Sequence, residues 1–149
     1  HKAPQGKSPT FMVAAMKDPE GANLDRIQII KGWIDRVGQA HEKVFNVAWS
    51  GNRELDAQGK LSLVGDTVDR DTATYENTIG AAQLAGVFED PEFDPENKAV
   101  YYVRVLEIPT PRWTLYDKVR FGITDMADEV PLAHQERAFS SPIWYGPGG

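Results

Sequence analysis

The sequence predicts an all-β fold: an antiparallel β-sandwich with long loops and one short helix near residues 115–121. Three observations predict it. Apolar residues recur in runs of strand length, Gly- and Pro-rich turns separate those runs, and one short stretch alone carries helix start and stop signals.

Residues 11–16 (FMVAAM) form an apolar run ended by Asp18, Pro19 and Gly21. Residues 26–34 (RIQIIKGWI) and 42–49 (EKVFNVAW) are rich in the β-branched and aromatic side chains that suit a pleated surface. Between them lies Asp35-Arg36-Val37-Gly38. Asp at the first position of a type I turn binds the turn's own N–H groups, and Gly suits the fourth. The same spacing returns in Asp56-Ala57-Gln58-Gly59, between residues 52–55 and 60–64, so two antiparallel hairpins are expected.

From residue 65 to 85 the alternation is mixed. TATYENT (72–78) has strand propensity, GAAQLAG (80–86) has the composition of a short helical turn, and LAGVFED (84–90) leads into a loop over 90–97. Residues 99–108 (AVYYVRVLEI) form the strongest strand of the chain. One face carries Tyr101, Val103, Val105 and Glu107; the other carries Val100, Tyr102, Arg104, Leu106 and Ile108. Apolar character on both faces marks a strand covered on both sides. A two-layer sandwich covers one of them, so a further contact is expected on the other, with Arg104 at its rim and Tyr102, Leu106 or Trp113 in an exposed apolar patch.

Pro109 and Pro111 are expected to stop this strand. Thr114 stands where an N-cap belongs, Asp117 follows three residues on as in a capping box, and Gly122 can end the segment, which makes 115–121 a helix of about two turns. Residues 123–135 read as loop. A last strand over 137–145 (RAFSSPIWY) contains Pro142, which confines it to a sheet edge or a bulge. The expected organisation is a flexible segment over 1–9, a single sandwich domain over 10–146 and a tail over 147–149. Residue 1 is His and the first nine residues are polar and turn-prone, the character of a piece excised from a longer protein.

Composition narrows the function. A chain of 149 residues with 41% hydrophobic and 26% charged residues has the size and balance of one domain with its own core. Its formal net charge of -6, with no basic stripe, argues against nucleic acid and anionic lipid as partners. Cysteine is absent, which excludes disulfides, thiol catalysis and thiolate zinc sites. No run reaches the roughly 18 apolar residues of a membrane span, so no membrane insertion is expected.

The search for chemistry yields no catalytic residue and no metal or cofactor site. His1, His41 and His134 share no ligand spacing and read as surface histidines. Asp90, Glu92, Asp94 and Glu96 alternate as in a calcium loop, but the sixth and twelfth positions hold Pro95 and Tyr101 where an EF-hand needs Gly and Glu. Asp90, Glu92 and Asp94 are therefore weak calcium candidates, and the group Asp66, Asp69 and Asp71 is no stronger. Ser140-Ser141 lacks a nucleophile elbow, and no Gly-rich phosphate loop is present. Among the tryptophans, Trp33, Trp49 and Trp144 fall in strands and are expected to fill the core. Trp113 falls in PTPRWTLYD (109–117), where an ordered loop presenting Arg112 and Trp113 has the composition of a contact hot spot.

Three long phrases carry a resemblance: SPTFMVAAMKDPEGANLDRIQIIKGW (8–33), DPEFDPENKAVYYVRVLEIPTPRWTLYD (90–117) and QERAFSSPIWY (135–145). Together they resemble the C-terminal region of a large bacterial family classed as a domain of unknown function. The N-terminal half of that family resembles the PHP (polymerase and histidinol phosphatase) metal-dependent phosphoesterases. The resemblance implies that metal ligands belong to that other half and that this segment is a non-catalytic accessory domain, without cofactor. Its partner would be the N-terminal half of the same parent chain, with a second copy of itself as a further partner. Arg104, Arg112, Trp113 and Arg137 would then be the residues of interdomain or ligand contact. The alternative reading is a sandwich module that binds carbohydrate or another small ligand. By analogy with exported relatives, a periplasmic or envelope location is expected.

Overall fold

A computed structural model describes residues 7–147. Residues 1–6, including His1 and most of the segment expected to be flexible, and residues 148–149 of the expected tail lie outside the described residues.

The described residues form seven strands and one helix: β1 Thr10–Met16, β2 Leu24–Ile34, β3 Ala40–Trp49, β4 Gln83–Glu89, β5 Lys98–Pro111, α1 Trp113–Phe121, β6 Ala133–Phe139 and β7 Ile143–Tyr145. They build two antiparallel sheets, one of β1 and β4, the other in the order β3-β2-β5-β6. β7 also pairs with β5, through Ala99–Tyr145 and Tyr101–Ile143, on the edge that β6 occupies further along. The two sheets pack face to face as a sandwich.

The core follows from the period-two alternation of the strands. Ile27 and Ile29 of β2, Ala99 and Tyr101 of β5 and Val13 of β1 are buried together, with Phe11, Leu84 and Phe88 of the small sheet packed on them. The Phe11 ring lies 4.9 Å from that of Tyr101, and Phe88 lies 4.9 Å from Phe45. Burying each isoleucine contributes roughly 1.5–3 kcal/mol. A satellite cluster of Val68, Ala73 and Leu115, with Tyr75 and Leu132, sits under α1.

The hairpin of β2 and β3 forms as its turn predicts. Asp35 Oδ1 accepts from the N–H of Val37 at 3.0 Å and of Gln39 at 2.8 Å. Asp56 does the same for Gln58 and Lys60, but the flanking segments meet only at one bridge, between Leu55 and Leu61.

Four expectations are corrected. GAAQLAG (80–86) is no helical turn: its second half opens β4, which pairs with β1 from Met16–Gln83 to Thr10–Glu89. Gly80 makes this possible at a φ of 81°, since a Cβ there would lie 2.6 Å from Asn23 Cβ and 2.7 Å from Ile108 Cγ2. β5 runs through Pro109 and Pro111 to residue 111, because β2 ends opposite Glu107 and the prolines occupy a stretch with one partner strand. β6 begins at Ala133, inside the expected loop, and the expected final strand breaks at residues 140–142. Trp144 does not fill the core; it stands 74% exposed on β7, while Trp33 packs against the core and Trp49 is half-buried, its Nε1–H donating to Arg53 O at 2.8 Å.

Candidate functional site

The helix α1 presents a group of exposed aromatic side chains, Trp113, Tyr116 and Phe121, on an anchored element. Its start is clamped by the main chain: Arg112 N–H donates to Leu132 O at 2.9 Å, and Arg112 O accepts from Leu115 N–H at 2.9 Å. Thr114 is not the N-cap. Arg112 takes that place with extended backbone and no side-chain cap, while Thr114 Oγ1 donates to Pro131 O at 2.6 Å. Leu115 is fully buried against the satellite cluster, and Gly122 ends the helix in the left-handed conformation.

That anchoring turns the rest of α1 outward. Trp113 is 63% exposed and Tyr116 50% exposed, three residues apart and hence on one helix face. Val119 and Phe121 are exposed beyond them, and the Arg120 guanidinium lies 5.9 Å from the Phe121 ring. Aromatics beside arginine, held on a fixed backbone, are the composition of an interface anchor. A polar groove of about 560 Å³ runs alongside the 131–133 segment that clamps the helix, lined by Asp66, Arg70, Asp128 and His134 among others.

The remaining contact candidates lie elsewhere. Arg104 and Arg137 share the outer face of the large sheet, on paired strands: Arg104 stands opposite Phe139 and Arg137 opposite Leu106. Arg104 Nε donates to Gln28 Oε1 at 2.9 Å, and Gln28 Nε2 donates to Asn46 Oδ1 at 2.8 Å, a polar strip across three strands. Arg137 is exposed. Leu106, opposite it, precedes Arg112 by six residues of strand, a span of about 20 Å at 3.3 Å per residue. The structure thus brings Arg112 and Trp113 together, and Arg104 and Arg137 together, as two separate sets. Of the other patch candidates, Leu106 is buried, whereas Tyr102 is half-buried with its ring 6.2 Å from that of the exposed Phe139.

Three of the four acids of the 90–97 loop turn to three different cations. Asp90 is buried against Lys31, Glu92 pairs with Lys43, and Asp94 pairs with Arg36 at 3.2 Å. Asp66 pairs with Arg70 at 2.6 Å, and Asp69 Oδ1 accepts from the N–H groups of Asp71 and Thr72. Among the described residues no three His, Asp or Glu side chains gather as a metal site. His41 lies 2.8 Å from Asp35 and His134 lies 2.6 Å from Glu136.

Two buried polar clusters escaped the sequence reading. In the first, Lys31 Nζ lies 2.5 Å from Asp90 Oδ2, Tyr101 OH donates to the same oxygen at 2.7 Å, and Glu92 N–H donates to Oδ1 at 2.9 Å. Burial, with the Asp90 bond behind it, pushes the Tyr101 phenol far up. In the second, the fully buried Asp25 accepts from Arg53 Nη2 at 2.7 Å, Arg26 Nε at 2.9 Å and Gln135 Nε2 at 2.8 Å. A signal for the first was available: Lys31 continues the inward alternation of Ile27 and Ile29, and a charge at such a place demands a buried partner.

Two carboxylates near these elements are shifted in opposite senses. The hydrogen bond from His41, with the Gln39 and Val37 N–H groups, holds Asp35 below its ordinary value. Burial, reinforced by Glu136 and Asp18, raises Glu107.

Among the described residues no helix is long and apolar enough to cross a membrane. Residues 1–147 match the family model described as "Protein of unknown function (DUF3604)". No curated protein and no solved structure matches the chain.

Proposed function

The chain belongs to the DUF3604 family of proteins of unknown function, and from that membership we propose that it is a non-catalytic accessory sandwich that docks on another part of its parent protein. The partner in this reading is a PHP-like, metal-dependent phosphoesterase half, as the sequence resemblance implies. One observation carries it: Trp113 and Tyr116 stand 63% and 50% exposed on a helix whose other side is pinned by Leu115. Ordering two large aromatics in water on a rigid element makes sense where a partner covers them, since such residues dominate contact energetics. The basic end of α1, with Lys118 and Arg120, suits an acidic surface on the partner.

Association of the two halves, produced separately and followed by calorimetry, tests the proposal. Trp113→Ala with Tyr116→Ala is expected to weaken association at least tenfold, about 1.4 kcal/mol or more, without altering thermal unfolding of this domain. Unchanged affinity in that variant, or no association of the unaltered halves, contradicts it.

A further inference from the structure

We infer that the outer face of the large sheet holds a binding site for a planar aromatic carboxylate, at the opposite end of β5 from α1. The site is a hollow of about 470 Å³. Its floor is Gly32 of β2 together with the side chain of Val100, whose Cγ1 lies 3.1 Å from where a Cβ on Gly32 would stand. Gly32 pairs with Val100 of β5, and Val100 pairs in turn with Trp144 of β7, so the three stand in one row across the sheet. Ile34, paired with Lys98 and with Ala40, forms the next row.

Trp144 is the wall that points to a ligand. It is 74% exposed, and its indole flanks a hollow whose walls are carbon almost throughout. Lys98 is the one lysine or arginine that lines the same hollow; it is exposed, and its amine pairs with no acid among the described residues. His41 also touches the hollow, but its Nε2 is engaged by Asp35.

The occupant follows from these features. A sugar would set several hydroxyls against carbon walls with no partners, which costs free energy for each one. A neutral apolar ring would leave the Lys98 ammonium unused at the rim. An aromatic ring bearing a carboxylate meets both: its face stacks on the Trp144 indole above the floor of Gly32 and Val100, and its anion reaches Lys98. The site is independent of the docking proposal, since it uses none of the α1 residues.

The test titrates the full chain with 4-hydroxybenzoate, phenol and cyclohexanecarboxylate, followed by the indole N–H signals in heteronuclear NMR spectra. Saturable binding of 4-hydroxybenzoate that shifts the Trp144 signal and leaves that of Trp113 in place is expected, with phenol and cyclohexanecarboxylate weaker. Lys98→Gln is expected to weaken 4-hydroxybenzoate about tenfold and leave phenol unchanged; Trp144→Ala is expected to remove binding of both. Both side chains are exposed, and an unaltered amide spectrum verifies the fold of each variant. No saturable shift at Trp144, equal affinity for the three probes, or full affinity in Lys98→Gln overturns the proposal.

Discussion

Lys31 Nζ lies 2.5 Å from the carboxylate of Asp90, and both side chains are buried, at 3% and 0% exposure. The pair joins the second strand to the loop after the fourth, with Tyr101 OH on the same carboxylate oxygen and the Trp33 ring 5.0 Å from the ammonium. An acid that superficially suggests calcium chemistry in the sequence is thus the counter-charge of a lysine on the inward face of a core strand.

Removing the lysine alone leaves Asp90 buried without its cation. Lys31→Met is expected to cost about 3–5 kcal/mol in urea unfolding. Lys31→Met combined with Asp90→Asn is expected to recover at least half of that loss, because the amide removes the charge while its Oδ1 still accepts from Glu92 N–H and its Nδ2–H faces the Tyr101 hydroxyl, which can accept. A cost below about 1 kcal/mol for the single variant contradicts the assignment.

Asp25 ties three separate segments through Arg26, Arg53 and Gln135. Asp25→Ala is expected to destabilise by about 3 kcal/mol or more, since it strands two arginines in a largely buried site. Gln135→Ala, which removes one neutral donor, is expected to cost about 1–2 kcal/mol in the same unfolding measurement.

Gly80 combines a positive φ with a Cβ position already filled by Asn23 and Ile108. Gly80→Ala is expected to cost about 3 kcal/mol and lower the thermal midpoint by several degrees, whereas a stabilised variant would show that the turn relaxes freely.

The raised Glu107 and the lowered Asp35 bend the pH profile in opposite directions. Folded Glu107 keeps its proton to a higher pH than the unfolded chain, whose group titrates near the ordinary 4.5. Its contribution is therefore unfavourable at neutral pH and is relieved as pH falls through the folded value. Glu107→Gln is expected to raise the thermal midpoint slightly at pH 7 and to make no difference near pH 4; a lower midpoint at pH 7 contradicts this. Asp35 contributes stability above its ordinary 3.8, and loses it as pH falls through the lowered folded value.

Local signals in the sequence suffice where the structure itself is local. The Asp35 turn, the strands on either side of it and the end of α1 at Gly122 each depend on residues within a few positions. β4 is not legible in the sequence because its apolar positions, Leu84, Gly86 and Phe88, include a glycine, and its identity as a strand comes from pairing with β1 about seventy residues earlier. Thr114 looked like a cap because its side-chain type fits one, but its hydroxyl serves the 131 carbonyl from a segment brought in by β6. Residue type alone places Trp144 in the core, but its edge strand leaves it exposed. The exposure of Trp113 follows the expectation, although it opens α1 and stands in no loop, whereas Arg112 is half-buried at the helix start, and the distance from them to Arg104 and Arg137 requires the register of β5.

The docking account meets its most direct test in a structure of the intact parent protein. The account requires Trp113 and Tyr116 to be covered there by the neighbouring half, with Leu115 still seated in this domain's own cluster. Both aromatics standing in solvent, with the neighbouring half packed elsewhere or not at all, would contradict it.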